Sequence, residues 1–101
     1  MAKRRIVWTR KANQERKDIL AYWIKRNHSK SYSIKLNKLI KDSVQLAAQY
    51  PNTGRKTTLE NVRVKIVRDY LLFYEINKTT LVVLTIWDSR RDEKTLSVPF
   101  V

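Results

Sequence analysis

Three short clusters of cations hold the side chains best suited to chemistry. Arg55 and Lys56 follow Gly54, the only glycine. Arg63 and Lys65 stand at i and i+2, a spacing that puts two side chains on one face of a strand. Arg90 and Arg91 leave the end of an apolar run. Fixed cations of this kind hold phosphates and stabilise charge that builds on non-bridging oxygens during phosphate cleavage. Cleavage also needs a base and an acid. The single histidine, His28, stands far along the chain from these clusters, where the pattern reads as a turn between helices. The absence of cysteine excludes a thiol nucleophile, a disulfide framework and a Cys-type zinc site, and a lone histidine excludes a multi-histidine metal site. One glycine excludes Gly-rich phosphate loops. No metal and no cofactor are expected.

The cations belong to a strongly basic chain. Of 101 residues, 22 are Lys or Arg and nine are Asp or Glu, a formal net charge of +13. The excess is uneven. Residues 1–56 carry fifteen basic and three acidic side chains, and residues 57–101 carry seven and six. Such a surplus repels itself in a compact body and attracts polyanions, either nucleic acid or an acidic protein. Hydrophobic residues make up 43% of the chain, a globular composition, and residues 1–101 read as one domain. Met1-Ala2-Lys3-Arg4-Arg5 is not followed by a long apolar run, so no secretory leader is expected. The run from Thr79 to Trp87 is far short of the ~20 residues of a membrane span. A cytoplasmic protein without membrane contact is the expectation.

The elements that position the cations follow from periodicity. Arg5-Ile6-Val7-Trp8 reads as a strand, and Thr9 as an N-cap for a helix over 11–27. Ala12, Arg16, Ile19, Leu20, Trp23 and Ile24 form its stripe, apolar except for the arginine. A second stripe runs through Tyr32, Leu36, Leu39, Ile40 and Ala47, so the two helices make an antiparallel hairpin. Lysines and Arg10 cover its outer face. Tyr50 to Lys56 reads as a loop. The period then becomes two: Val62, Val64 and Ile66 alternate with Arg63, Lys65 and Val67. Arg68-Asp69 reads as a tight turn, and Tyr70 to Ile76 as a strand with Tyr70 and Tyr74 in the core. Leu81 to Trp87 is apolar on both faces, as a central covered strand should be. A charged segment, 88–94, and an apolar tail, 96–101, follow. The order is β-α-α-β-β-β, an α+β fold with a helical hairpin packed on a small, mostly antiparallel sheet.

In that order and spacing, Ile6-Val7-Trp8-Thr9, the Tyr50-Pro51-Asn52-Thr53-Gly54-Arg55 segment, Tyr70-Leu71-Leu72-Phe73-Tyr74 and Ile86-Trp87-Asp88-Ser89-Arg90-Arg91 resemble the RelE/ParE superfamily of type II toxin–antitoxin toxins. The resemblance implies an antitoxin partner, expected to be small, acidic and encoded next door. It also implies one of two activities. ParE-like members inhibit DNA gyrase. RelE-like members are metal-independent, ribosome-dependent endoribonucleases that leave 2′,3′-cyclic phosphate ends on mRNA. Arg63, Lys65 and Arg90 or Arg91 match basic positions of the ribonuclease site. The arginine expected after the strand tyrosine is Leu71 here, a tyrosine near the C-terminus is replaced by Leu96 or Ser97, and a histidine of other ribonuclease members by Trp87 or Asp88. The chain therefore reads as a divergent, ParE-leaning toxin, with the endoribonuclease and a non-toxic nucleic-acid-binding module as alternatives. Arg55, Lys56, Arg63, Lys65, Arg90 and Arg91 are the candidate target- or nucleic-acid-binding residues. Arg63, Lys65, Arg90 and Arg91 are the catalytic candidates if the chain is a ribonuclease.

Overall fold

A computed structural model describes residues 3–89. The first strand, β1, spans Arg5–Trp8 and feeds directly into α1, Arg10–Asn27. Thr9 caps α1: its hydroxyl accepts from the Ala12 amide at 3.0 Å and donates to the Leu84 carbonyl at 3.1 Å, tying the cap to the sheet. His28 ends the helix in the left-handed region, with φ 52°. It is an exposed turn residue, as its position predicts. The second helix, α2, spans Ser31–Gln49 and stops at Tyr50-Pro51. Ser33 bonds the Leu20 carbonyl at 2.6 Å, fixing the hairpin.

Arg16, the charge inside the α1 stripe, lies between the helices. Its guanidinium stacks 5.1 Å over the Trp8 ring and donates to the side-chain carbonyls of Asn13 and Asn37 at 3.0 and 2.9 Å. No carboxylate faces it in these contacts.

The remaining strands among the described residues are β2 (Arg55–Lys56), β3 (Val62–Val67), β4 (Tyr70–Ile76) and β5 (Thr80–Asp88), and a 3-10 turn, Pro51–Thr53, precedes β2. The sheet order is β1-β5-β4-β3-β2. Only β1 and β5 run parallel; the other neighbours are antiparallel. The order explains the two-sided apolar character of β5. Leu81, Val83 and Ile86 face the helices, while Leu84 and Trp87 join a second cluster on the opposite face. Phe73 opposes Thr85 and Tyr74 opposes Val83, so Leu84 is the extra residue of a bulge. The bulge turns Thr85 toward α1, where Glu15 accepts from its hydroxyl at 2.7 Å and from the Ile86 amide at 3.2 Å. Lys11 closes this network on both Glu15 and Thr85.

The helix-side core gathers Ala12, Leu36, Ile40, Val44 and Ala47 from the helices against Leu72, Tyr74, Leu81 and Val83 of the sheet. One expectation needs correction. Residues 50–56 are not one loop, because Arg55 and Lys56 pair with β3 and add a fifth strand. The apolar face of β3 is turned away from the helices. Val62 and Val64 pack with Phe73 and Trp87 on the opposite face, and Ile66 is 61% exposed. The basic set, Arg63 and Lys65, takes the helix side, opposite Tyr74 and Leu72. Of the charged segment, Asp88 ends β5 and Ser89 donates its amide to the Asp69 carbonyl at 2.8 Å, while residues 90–94 and the apolar tail lie outside the described residues.

Candidate functional site

Register decides which candidate cations meet. Lys56 stands opposite Arg63, and Arg63 opposite Tyr74, so Lys56 and Arg63 share the helix side of the sheet. Lys65 follows two residues on and shares that side. Arg55 stands opposite Val64 and belongs to the other face. Lys56, Arg63 and Lys65 therefore form one basic strip at the β2–β3 edge, and Arg55 does not join it. Arg90 and Arg91 lie outside the described residues.

The three strip residues differ in how freely they can engage a partner. Arg63 is anchored: its Nη1 donates to the Gly54 carbonyl at 2.7 Å and reaches the Asn52 carbonyl at 3.4 Å. One guanidinium edge is thus spent on the turn before β2. Lys56 is exposed. Lys65 is partly covered, and burial pulls its pKa below the ordinary lysine value. Among the described residues the only ion pairs are Lys11–Glu15 and Lys38–Asp42, so the strip carries uncompensated charge.

The turn itself is held from below by Tyr74, a residue whose role the sequence did not announce. The buried Tyr74 hydroxyl accepts from the Gly54 amide at 3.0 Å and donates to the Pro51 carbonyl at 2.7 Å. A Cβ on Gly54 would meet the Tyr74 ring carbons at 3.0 Å and come closer still to the hydroxyl. The only glycine is thus required by close approach, since its φ of −82° suits any residue. Burial raises the Tyr74 pKa, an effect offset in part by the hydrogen bonds it receives and by the Arg63 charge. A buried, doubly bonded phenol is unsuited to exchanging protons with a substrate.

Two cavities lie at opposite ends of β4. One, of about 640 Å³, is lined by Lys56, Arg63, Thr58 and Asn61 from the β2–β3 region and by Arg4 and Ile76 from across the sheet. Arg4 was not among the sequence candidates. Its Nε donates to the Asn77 carbonyl at 2.8 Å and its amide to the Ala48 carbonyl at 3.1 Å. Nothing in the sequence around Arg4 sets it apart from its basic neighbours. The other cavity, of about 390 Å³, lies between α1 and the sheet, with Glu15, Asp18, Tyr22 and Tyr70 among its walls. Among the described residues no group of three or more His, Cys, Asp or Glu side chains is placed to hold a metal ion. No described helix is long and apolar enough to cross a membrane.

Comparison with known proteins agrees with the fold. A family model described as the ParE toxin of type II toxin–antitoxin systems, parDE, matches residues 6–93. A solved structure, from the chromosomal ParDE toxin–antitoxin system of P. aeruginosa, superposes with a TM-score of 0.72 at 19% identity, covering 85% of this chain and 96% of that one. No curated protein sequence matches significantly. The chain belongs to the ParE toxin family.

Proposed function

We propose that this ParE-family toxin arrests bacterial growth by binding a protein target such as DNA gyrase, without cleaving a substrate. The observation that carries this reading is the composition of the basic strip. Lys56, Arg63 and Lys65 share one side of the sheet, but Arg63 is tied to the preceding turn, and the nearest phenol, Tyr74, is buried in two hydrogen bonds. A cleaving site needs an available acid and base as well as cations. Leu71 replaces the arginine that the ribonuclease pattern requires. Purified chain should block negative supercoiling by gyrase, and Lys56→Gln with Lys65→Gln should weaken the block. Full supercoiling at large excess of toxin refutes the proposal.

One observation favours the ribonuclease reading. Partial burial loosens the Lys65 proton, which suits a lysine to act as a base. That reading requires messages cut in a translating extract, with cyclic phosphate ends, and loss of cutting in Lys65→Gln. Intact messages in an extract whose growth-arrest activity persists in cells exclude it.

A cognate antitoxin, small, acidic and encoded adjacent, completes the proposal. The flank of α2 turned away from α1 supports it. Ser33 and Asn37 mark the α1 side, whereas Leu39, Leu46 and Tyr50 lie on the other flank, 37%, 45% and 53% exposed, beside Lys35. Leu39 and Leu46, seven residues apart, share one stripe of α2 with Tyr50 just past its end, and an apolar stripe edged by lysines fits an acidic amphipathic segment. Leu39→Ser with Leu46→Ser should lower affinity for the antitoxin at least tenfold while the melting curve of the free toxin stays in place. Unchanged affinity removes this flank from the interface.

A further inference from the structure

We infer that the larger cavity, at the end of the sheet where β4 finishes, is a binding site for the phosphate backbone of single-stranded nucleic acid. This goes beyond the protein target proposed above and does not depend on which target that is.

The site is built from two ends. Arg4, one residue before β1, enters from one end, and Lys56 and Arg63, paired across β2 and β3, enter from the other. In the strand order β1-β5-β4-β3-β2, the Arg4 and Arg63 backbones are separated by three strand spacings, about 14 Å, and the Arg4 side chain reaches inward as far as the Asn77 carbonyl just after β4. Three cations spread along one cavity match a chain with a charge on every unit. Both guanidinium groups are held in place. Arg4 is fixed through Nε on the Asn77 carbonyl, which leaves its terminal Nη groups to donate, and Arg63 is fixed through Nη1 on the Gly54 carbonyl. Anchored arginines lose less freedom on binding, so more of the charge–charge attraction survives as affinity. None of the three cations has an ion-pair partner among the described residues, and the only acid in the lining is Glu60, itself exposed.

The rest of the lining fits the ligand. Thr58 and Asn61 add a hydroxyl and an amide able to bond phosphate or sugar oxygens, and Pro51 and Ile76 give an apolar surface between the two cationic ends for a sugar or base face. A cavity of about 640 Å³ takes a short stretch of one strand rather than a duplex.

The test is fluorescence anisotropy with a labelled oligothymidylate of about twelve nucleotides, titrated with the full chain over a range of salt. Each phosphate contact on a single strand contributes about 0.7 to the slope of log affinity against log salt. Arg4→Gln and Lys56→Gln should each reduce that slope by about that amount and weaken binding severalfold at fixed low salt. Lys17→Gln and Lys25→Gln, at exposed positions of α1, should change it far less. Arg63 is left intact because it also holds the turn, and melting curves of all four variants establish that the fold survives. Equal losses across groove and helix variants, or no oligonucleotide binding at all, overturn the site. Tighter binding of a duplex of the same length overturns the single-strand assignment. Tighter binding of an oligoglutamate of matched charge assigns the groove to an acidic polypeptide and overturns the proposal. Because no topoisomerase is present, these outcomes are independent of the gyrase assay.

Discussion

Replacing Tyr74 with Phe tests whether one hydroxyl organises the turn that precedes the basic strip. In the wild type that oxygen accepts from the buried Gly54 amide at 3.0 Å and donates to the half-buried Pro51 carbonyl at 2.7 Å. Without it, the Gly54 N–H stays buried with no acceptor, a loss of about 1–3 kcal/mol, and the Pro51 carbonyl loses a bond worth about 0.5–1.5 kcal/mol, partly recovered from water. The expected destabilisation is about 2–4 kcal/mol. For a domain of this size, 1 kcal/mol moves the melting temperature by about 4–8 °C, so the shift should be about 8 °C or more. Urea unfolding followed by circular dichroism gives the free energy directly. Gly54→Ala supplies the second corner of a cycle, since its added methyl meets the Tyr74 hydroxyl and the ring carbons at 3.0 Å. Removing the hydroxyl relieves the closest of those contacts. The double variant should therefore be more stable than the two single losses predict, by about 1 kcal/mol. A Tyr74→Phe loss under about 0.5 kcal/mol, or strict additivity in the cycle, would refute the assignment of the turn to this side chain.

Two further perturbations follow from the same geometry. Burial lowers the Lys65 pKa, so the charged lysine opposes folding at neutral pH, and Lys65→Met, which keeps the stem, should stabilise the protein by a few tenths of a kcal/mol at pH 7. Between the lowered folded value and the ordinary 10.5 the unfolded chain holds more protons, so wild-type stability rises with pH there and the advantage of the variant shrinks. Tyr74 opposes that rise in both proteins and cancels in the difference; urea unfolding at pH 7 and pH 10 checks the sign, and a gap that widens with pH contradicts it. Arg16→Lys should cost about 1–2 kcal/mol, since an ammonium cannot both stack on Trp8 and bridge Asn13 to Asn37 as the planar guanidinium does. Equal stability in thermal melts would show that the Arg16 contacts are incidental.

Much of the fold could be read from periodicity, and the exceptions have physical causes. The helical hairpin, the Thr9 cap, the Arg68-Asp69 turn and the covered character of β5 are local patterns, visible in a window of a few residues. Strand order is not local: β1 joins β5 across more than seventy residues, and no spacing encodes that pairing. The two-residue β2 is too short to carry a period. Alternation shows that β3 has an apolar and a basic face but not which of them meets the helices, and a second apolar cluster on the far side of the sheet gives Val62 and Val64 a place there. At the site, Lys56, Arg63 and Lys65 are brought together by alternation and register, whereas Arg55 is turned away by the same rule. Arg4 and Tyr74 act through residues more than twenty positions off or through carbonyls, relations that residue type alone does not reveal.

The placement of charge on β3 follows from the size of the helical layer. Two helices must cover a five-stranded sheet, and α1 lies mainly over β5 while α2 runs from β3 back toward β1. Among the described residues β2 is an outer strand of the sheet with β3 beside it, and an uncovered edge invites pairing with other chains. Lys56, Arg63 and Lys65 on the helix side of that edge discourage such pairing through repulsion and hydration, which is reason enough for charge in a chain with no target at all. It does not account for the anchoring of Arg63 on the Gly54 carbonyl, or for Arg4 held on the Asn77 carbonyl at the far end of the same cavity. A solubilising lysine works best when it is mobile, whereas a guanidinium fixed at one edge presents its remaining donors in a set direction. The cavity therefore joins an exposed cation, Lys56, with two fixed ones, Arg63 and Arg4, that select what approaches.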